Sequence, residues 1–196
     1  MSMKREITRA DIMSMADYVK VRQARRQQAI AMKKHRRVAV GPYATFHFEN
    51  YETMWQQIHE MLYIEKGGEE QIADELRAYN PMIPKGNELT ATMMLEIEDP
   101  VQRARVLSGL GGIEDAIVLD VGGSVVRATS EQEVERTKSD GKTSSVHFLH
   151  FVFTPEQIAK FRNPETRVLL GIEHQNYGHM AVLTPETRAS LAQDFA

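Results

Sequence analysis

The segment ENYETMWQQIHEMLYIEKGG, residues 49–68, carries the clearest helix signals in the chain. Asn50 is a favourable N-cap, Glu52 places an acid in the first turn, and Gly67 follows the last turn as a stop signal. Together these signals predict a helix over about residues 51–66.

The predicted helix has an apolar face, but polar side chains surround that face and enter it. At about 100° per residue, a sector of roughly 120° contains Tyr51, Met54, Trp55, Ile58, Met61 and Leu62. Glu65 projects into the same sector, and Glu60 lies on another flank. A carboxylate in an apolar face needs a partner or a proton, because desolvation disfavours its charged form. Glu65 therefore turns to water or pairs with an arginine, or else Glu65 or Glu60 helps to line a polar pocket.

Length and composition indicate an ordinary globular protein. The chain has 196 residues, of which 42% are hydrophobic and 26% charged. It lacks an apolar run long enough to span a membrane, and the N-terminal sequence MSMKREITRAD lacks the apolar core of a secretion signal, so we expect a cytoplasmic protein. The absence of cysteine excludes disulfides and cysteine-ligated iron–sulfur clusters. The cofactor is unknown; a metal such as iron, manganese or zinc would need histidine and carboxylate ligands.

The N-terminal part of the chain is strongly basic. Residues 8–37 are predicted to be helical with a break near Ser14, and we divide the chain into a basic helical arm, 1–37, and a single α+β domain, 38–196. Residues 18–48 contain eight basic residues and no acid, so the remainder is acidic. The candidate partner-binding residues of the arm are Arg22, Arg25, Arg26, Lys33, Lys34, Arg36 and Arg37. These charges do not follow one stripe and have no aromatic residues between them, which favours docking on the acidic body or on a partner protein over nucleic-acid binding.

Alternating patterns after the arm predict a mostly antiparallel sheet. Strand patterns occur in residues 38–50 and 88–98, and Gly122-Gly123 is a strong hairpin signal between two more. Residues 130–145 are predicted to form an extended loop or a second hairpin tip. The fold class is therefore α+β: a mostly antiparallel sheet backed by helices, with a basic N-terminal helical arm.

Histidine and carboxylate residues supply the candidate chemistry. His47 and Glu49 share one face of a predicted strand, as a metal pair, an acid–base pair or part of a solvated face; Thr45 in the same row favours the solvated face. In a later strand, His147 and His150 point to opposite faces and cannot chelate one ion together. Known catalytic motifs, including HExxH, G-x-S-x-G and the dinucleotide fingerprint, are absent. The metal-ligand candidates are His47, Glu49, Glu60 and His147.

Several long motifs resemble the Domain of Unknown Function 3501 (DUF3501) family, and the similarity runs over essentially the whole chain. They are FENYETMWQQIHEMLYIEKG, AYNPMIP, SSVHFLHFVFTPEQIAKF and the strand ending GIEH. The positions associated with these motifs carry no assigned role: Glu49, Gln57, Glu60, Glu65, Tyr79, Asn80, Pro81 and His147. Family genes often lie beside those of rubrerythrin-like and iron–sulfur proteins, so the resemblance implies a redox or oxidative-stress setting and such proteins as partners. The chain lacks the cysteine and paired carboxylate–histidine motifs of rubrerythrins themselves.

Three functional hypotheses follow from these observations. The leading one is an accessory protein that binds a protein partner, or a second copy of itself, in a redox system. The alternative is a His/carboxylate metalloprotein or small-molecule enzyme with a polar pocket formed by Glu49, Gln57, Glu60, Glu65 and His147. Nucleic-acid binding through the basic helix is the third.

Overall fold

A computed structural model describes residues 4–130 and 142–196 of the chain. The helices are α1 (Met15–Lys33), α2 (Tyr51–Glu65), α3 (Gly68–Tyr79), α4 (Pro100–Ser108), α5 (Pro155–Arg162) and α6 (Pro185–Leu191). The strands are β1 (Arg37–Val40), β2 (Ala44–Glu49), β3 (Glu88–Leu95), β4 (Ile117–Val121), β5 (Ser124–Ser130), β6 (Val146–Val152), β7 (Val168–His174) and β8 (Tyr177–Val182). Short 3-10 turns lie at Arg9–Asp11, Asn80–Met82, Ile113–Ala116 and Ala192–Asp194.

The eight strands form one sheet in the order β1-β2-β3-β6-β5-β4-β7-β8, and all paired neighbours are antiparallel. This architecture confirms the predicted α+β class. The sheet curls until its two edge strands approach each other. At this seam the Tyr177 hydroxyl donates to the Val40 carbonyl oxygen at 2.8 Å and accepts from the Ala44 amide at 2.9 Å. Gly41 permits the approach, since a Cβ there would lie 2.6 Å from the His179 ring.

The two faces of the curled sheet contribute to two separate cores. The inner face holds the larger core, which includes Phe46, Phe48 and Phe151. On the outer side, α1, α2 and α3 form a second core around the buried side chains of Tyr18 and Ile58. The row of polar side chains on β2 therefore faces a layer of helices.

Local sequence signals place most elements correctly. Helix α2 is confirmed, with the Asn50 side chain accepting from the Thr53 amide at 3.0 Å, although the left-handed residue that ends it is Lys66. Helix α1 begins after the predicted break at Ser14 but ends at Lys33, because the chain turns there into β1. The hairpin between β4 and β5 is confirmed. Most of the predicted loop or hairpin tip at 130–145 lies outside the described residues.

The basic arm packs against α2 through specific side-chain contacts. Arg22 binds the Glu60 carboxylate with two hydrogen bonds of 2.8 and 2.9 Å, and the Arg25 guanidinium lies 4.7 Å from the Trp55 ring centre. Arg36 is 2% exposed. These contacts agree with internal docking of the arm, while its boundary at residue 37 stays a prediction. Among the described residues, no helix has the length and apolar character that crossing a bilayer requires.

Candidate functional site

A cavity of about 330 Å³ lies between the outer face of the sheet and the helical layer. Its floor comes from β2, β3 and β6, whose register places Thr92 opposite both His47 and Phe148. Its walls come from the end of α1, from α2 and from the end of α3. The polar lining is Lys33, His47, Glu49, Gln57, Tyr79 and Thr92, and the apolar lining is Met54, Met94, Val146 and Phe148. A small number of polar groups on an apolar wall is typical of a small-molecule site.

Glu49 is the acidic residue of this lining and is buried. Its side chain reaches the cavity because alternate residues of β2 face the helices, and only 6% of the residue is exposed. One carboxylate oxygen accepts a hydrogen bond of 2.8 Å from the Thr92 hydroxyl. The other, Oε2, is buried and has no hydrogen-bond partner within the described ranges. A buried oxygen without a donor costs free energy, so this atom is suited to accept from a bound molecule.

His47 presents a second polar atom of the same kind. Its Nε2 is buried and lacks a hydrogen-bond partner among residues 4–130 and 142–196. Burial lowers the pKa of His47, and the positive charges of Arg37 and Lys33 act in the same direction, although Glu49 and Glu96 oppose them. The imidazole is therefore neutral at pH 7, with one ring nitrogen as donor and the other as acceptor.

Three further polar groups complete the lining. Burial raises the pKa of Tyr79, an effect that a hydrogen bond with Gln57 partly offsets, so its phenol is a neutral donor and acceptor at physiological pH. Lys33 is half-buried, and no ion pair is observed for its ammonium group within the part of the chain that is described. The cavity thus contains a cation, a buried anion and several neutral hydrogen-bonding groups.

The structure separates the predicted pocket residues into two groups. Glu49 and Gln57 line the cavity, together with the predicted metal ligand His47. Glu60 is engaged elsewhere: it accepts from Arg22, and from the Tyr18 hydroxyl at 2.7 Å. The Arg22 hydrogen bond is the main reason that the pKa of Glu60 is lowered.

The other two predicted residues also lie outside the cavity. Glu65 is exposed at the end of α2 and accepts a hydrogen bond of 2.8 Å from the Gln71 amide, as the solvent-facing interpretation expects. His147 lies on the inner face of the sheet with Leu149 and Phe151, where its Nε2 is 2.9 Å from the Ser144 carbonyl oxygen. His150 lies on the opposite face, 3.1 Å from Glu88, so the predicted separation of the two histidines is confirmed.

The four predicted metal ligands do not come together. His47 and Glu49 share the cavity, but β6 directs His147 to the inner face, and Glu60 forms an ion pair with α1. Within the described residues, no three histidine, aspartate or glutamate side chains are placed to hold one metal ion. A metal held by His47 and Glu49 would thus need ligands of another kind.

Most candidate partner-binding residues of the arm have internal roles. Arg22, Arg36 and Arg37 form ion pairs with Glu60, Asp194 and Glu96, Arg25 lies 3.9 Å from Glu52, and Lys33 lines the cavity. Only Arg26 and Lys34 of this set are exposed and form no ion pair within the described part of the chain.

Sequence reasoning missed the contribution of Thr92 and did not connect Lys33 with the cavity. Thr92 belongs to the polar row of the strand predicted over 88–98, so alternation identified its face. Its neighbour across the strand could not be deduced, because register depends on the complete sheet.

The protein is a curled antiparallel sheet whose outer face carries a cavity covered by helices. The chain belongs to the family described as "Protein of unknown function (DUF3501)", whose model matches residues 6–195. A similar crystal structure is that of a novel protein of unknown function from Burkholderia pseudomallei. It shares 38% identity and a TM-score of 0.89, and the match covers 97% of this chain and 99% of that one. No curated protein matches the chain.

Proposed function

We propose that the protein binds a small amphipathic organic molecule in the cavity above β2, β3 and β6. One observation carries the proposal: Glu49 Oε2 and His47 Nε2 are buried without hydrogen-bond partners in the described structure, and both residues line the same cavity. Each such atom costs about 1–3 kcal/mol when it stays unpaired. A ligand that pairs with both recovers this free energy on binding.

The apolar lining determines the rest of the ligand. Met54, Met94, Val146 and Phe148 offer a surface for a hydrocarbon or aromatic group. Methionine side chains are flexible, so the wall accommodates more than one shape. The ligand therefore has a polar end with a hydrogen-bond donor and an apolar body. Chemistry on such a ligand would use the neutral imidazole of His47 and the Glu49 carboxylate as candidate acid–base groups.

The test follows the methionine methyl signals of the protein by NMR while a library of small fragments is added. Binding in the cavity shifts the Met54 and Met94 methyl signals and leaves that of the exposed Met180 unchanged. The Glu49→Gln variant keeps the shape of the side chain but loses the anionic acceptor, so fragments with a donor should bind at least about tenfold more weakly. Glu65→Gln, the same change at an exposed position outside the cavity, is the matched control. A library that shifts neither cavity signal would refute the proposal.

Partner binding through α1 is the second candidate, and one specific observation favours it. Val19 and Ile30 are 53% and 69% exposed and lie eleven positions apart, on nearly the same face of the helix. Exposed Arg26 lies between them, so the face suits a partner with apolar and acidic groups, including a redox protein. The Val19→Ser/Ile30→Ser variant should lose a partner that co-purifies with the wild type from native extract. A protein that remains a monomer without companions at physiological salt would exclude this function.

A further inference from the structure

The cavity holds two opposite charges that do not neutralise each other. Lys33 and Glu49 both line it, yet no ion pair between them is observed in the described chain, and the second Glu49 oxygen lacks a donor. A ligand with a single charge would satisfy one of these groups and leave the other uncompensated in a partly desolvated site. A zwitterion satisfies both.

We propose that the ligand is a free α-amino acid with an apolar side chain, an inference that rests on the proposed function of the cavity. Its ammonium group donates to Glu49, where one carboxylate oxygen remains available. Its carboxylate faces Lys33, and its side chain packs on the apolar lining of the cavity. Charge-assisted hydrogen bonds of this kind are stronger than neutral ones, so they select for both charged groups of the ligand.

The size of the cavity agrees with this class of ligand. Its volume of about 330 Å³ lies within the range of about 300–1,000 Å³ that is typical of small-molecule sites. Leucine, methionine and phenylalanine, with about nine to twelve non-hydrogen atoms by their chemical formulae, are small enough for a site of this size. The adaptable thioethers of Met54 and Met94 favour a group of related side chains over a single one.

Three compounds that share one hydrocarbon chain provide the test. L-Leucine has both charged groups, 4-methylpentanoic acid lacks the amine, and isopentylamine lacks the carboxylate. Calorimetric titration at constant ionic strength, together with the Met54 and Met94 methyl signals, measures the affinity of each for the full chain. We expect each single-charge analogue to bind at least about tenfold more weakly than leucine.

Two variants identify which protein charge recognises which ligand group. Glu49→Gln should abolish the preference for leucine over 4-methylpentanoic acid, because the carboxylate that accepts from the ammonium group is gone. Lys33→Met should abolish the preference for leucine over isopentylamine, and Lys34→Met, a change at the exposed neighbouring lysine, should leave every affinity unchanged.

Failure of this inference is distinguishable from failure of the proposed function. If leucine, methionine and phenylalanine leave the Met54 and Met94 signals unchanged while other fragments shift them, the amino-acid class is wrong and the cavity remains a ligand site. Equal binding of leucine and either analogue would also overturn the zwitterion inference. This comparison uses the wild-type protein alone, so it does not depend on the folding of any variant. If no compound shifts the two signals, both proposals fall.

Discussion

Removal of the Arg36 side chain should destabilise the protein more than any surface substitution. Arg36 donates to the carbonyl oxygens of Phe48 and Glu49, each at 2.9 Å, and to that of Ser190 at 3.3 Å. It also pairs with Asp194, and both side chains are at most 3% exposed. The Arg36→Met variant leaves Asp194 as a buried charge without its partner, which costs about 3–5 kcal/mol. The end of β2, and with it the backbone of Glu49, should loosen as well.

A double-mutant cycle separates the ion pair from the carbonyl contacts. Asp194→Leu removes the stranded charge, so Arg36→Met/Asp194→Leu should recover part of the loss and stay about 1–3 kcal/mol below wild type because the carbonyl groups have no donor. Urea unfolding followed by Trp55 fluorescence gives each free energy. Arg77→Met is the matched control, since its pair with Asp74 is exposed and worth at most about 1 kcal/mol. If Arg36→Met costs no more than Arg77→Met, the pair does not stabilise this end of the sheet.

Three further substitutions test the outer core, the seam and the arm. Burial lowers the pKa of His59, which accepts a hydrogen bond of 3.1 Å from the Met13 amide. As the pH falls, this histidine is protonated in the unfolded state before it is protonated in the folded state. The free energy of unfolding should therefore decrease as the pH drops below 6.5. His59→Gln should make the free energy of unfolding, measured with urea at several pH values, depend less steeply on pH. An unchanged pH dependence would contradict this role of His59. Gly41→Ala should cost about 1–3 kcal/mol in urea unfolding, because φ is +68° and the added Cβ would meet the His179 ring at 2.6 Å; full stability would show that the seam adapts freely. Glu60→Gln should weaken the contact between α1 and α2, measured as faster hydrogen exchange in α1, with no effect on ligand affinity in the cavity; a change in affinity would place Glu60 in the site after all.

Local signals predicted the elements well because caps, glycine turns and alternation act over a few residues. The Asn50 cap and the Gly122-Gly123 hairpin are examples, and both are observed. Alternation also places His147 in one row with Leu149 and Phe151. That apolar row favours a buried position for His147, on the sheet face opposite the one that carries His47.

The covering of each sheet face could not be deduced from the sequence. Thr45 made the row of His47 and Glu49 look solvated, yet Thr45 is 5% exposed and bonded to Glu96 at 2.6 Å. A polar row has the same pattern whether water or a helix lies above it. The pairing of Arg22 with Glu60 likewise depends on how α1 and α2 cross, and a local sequence pattern does not determine that crossing.

The Tyr177 hydroxyl is a polar link across the seam between β1 and β8, so its removal should affect how the two sheet edges are protected. Tyr177 links the two edge strands through its hydroxyl. Within the described residues, β1 pairs only with β2 and β8 pairs only with β7, so no strand ladder joins the two edges. Loss of this link should widen the seam and expose the two edges, which in the described chain have no strand partner across it, to strand addition from other molecules. Under mildly denaturing conditions, light scattering from Tyr177→Phe should rise before the helices unfold, so solubility and thermodynamic stability can be lost separately.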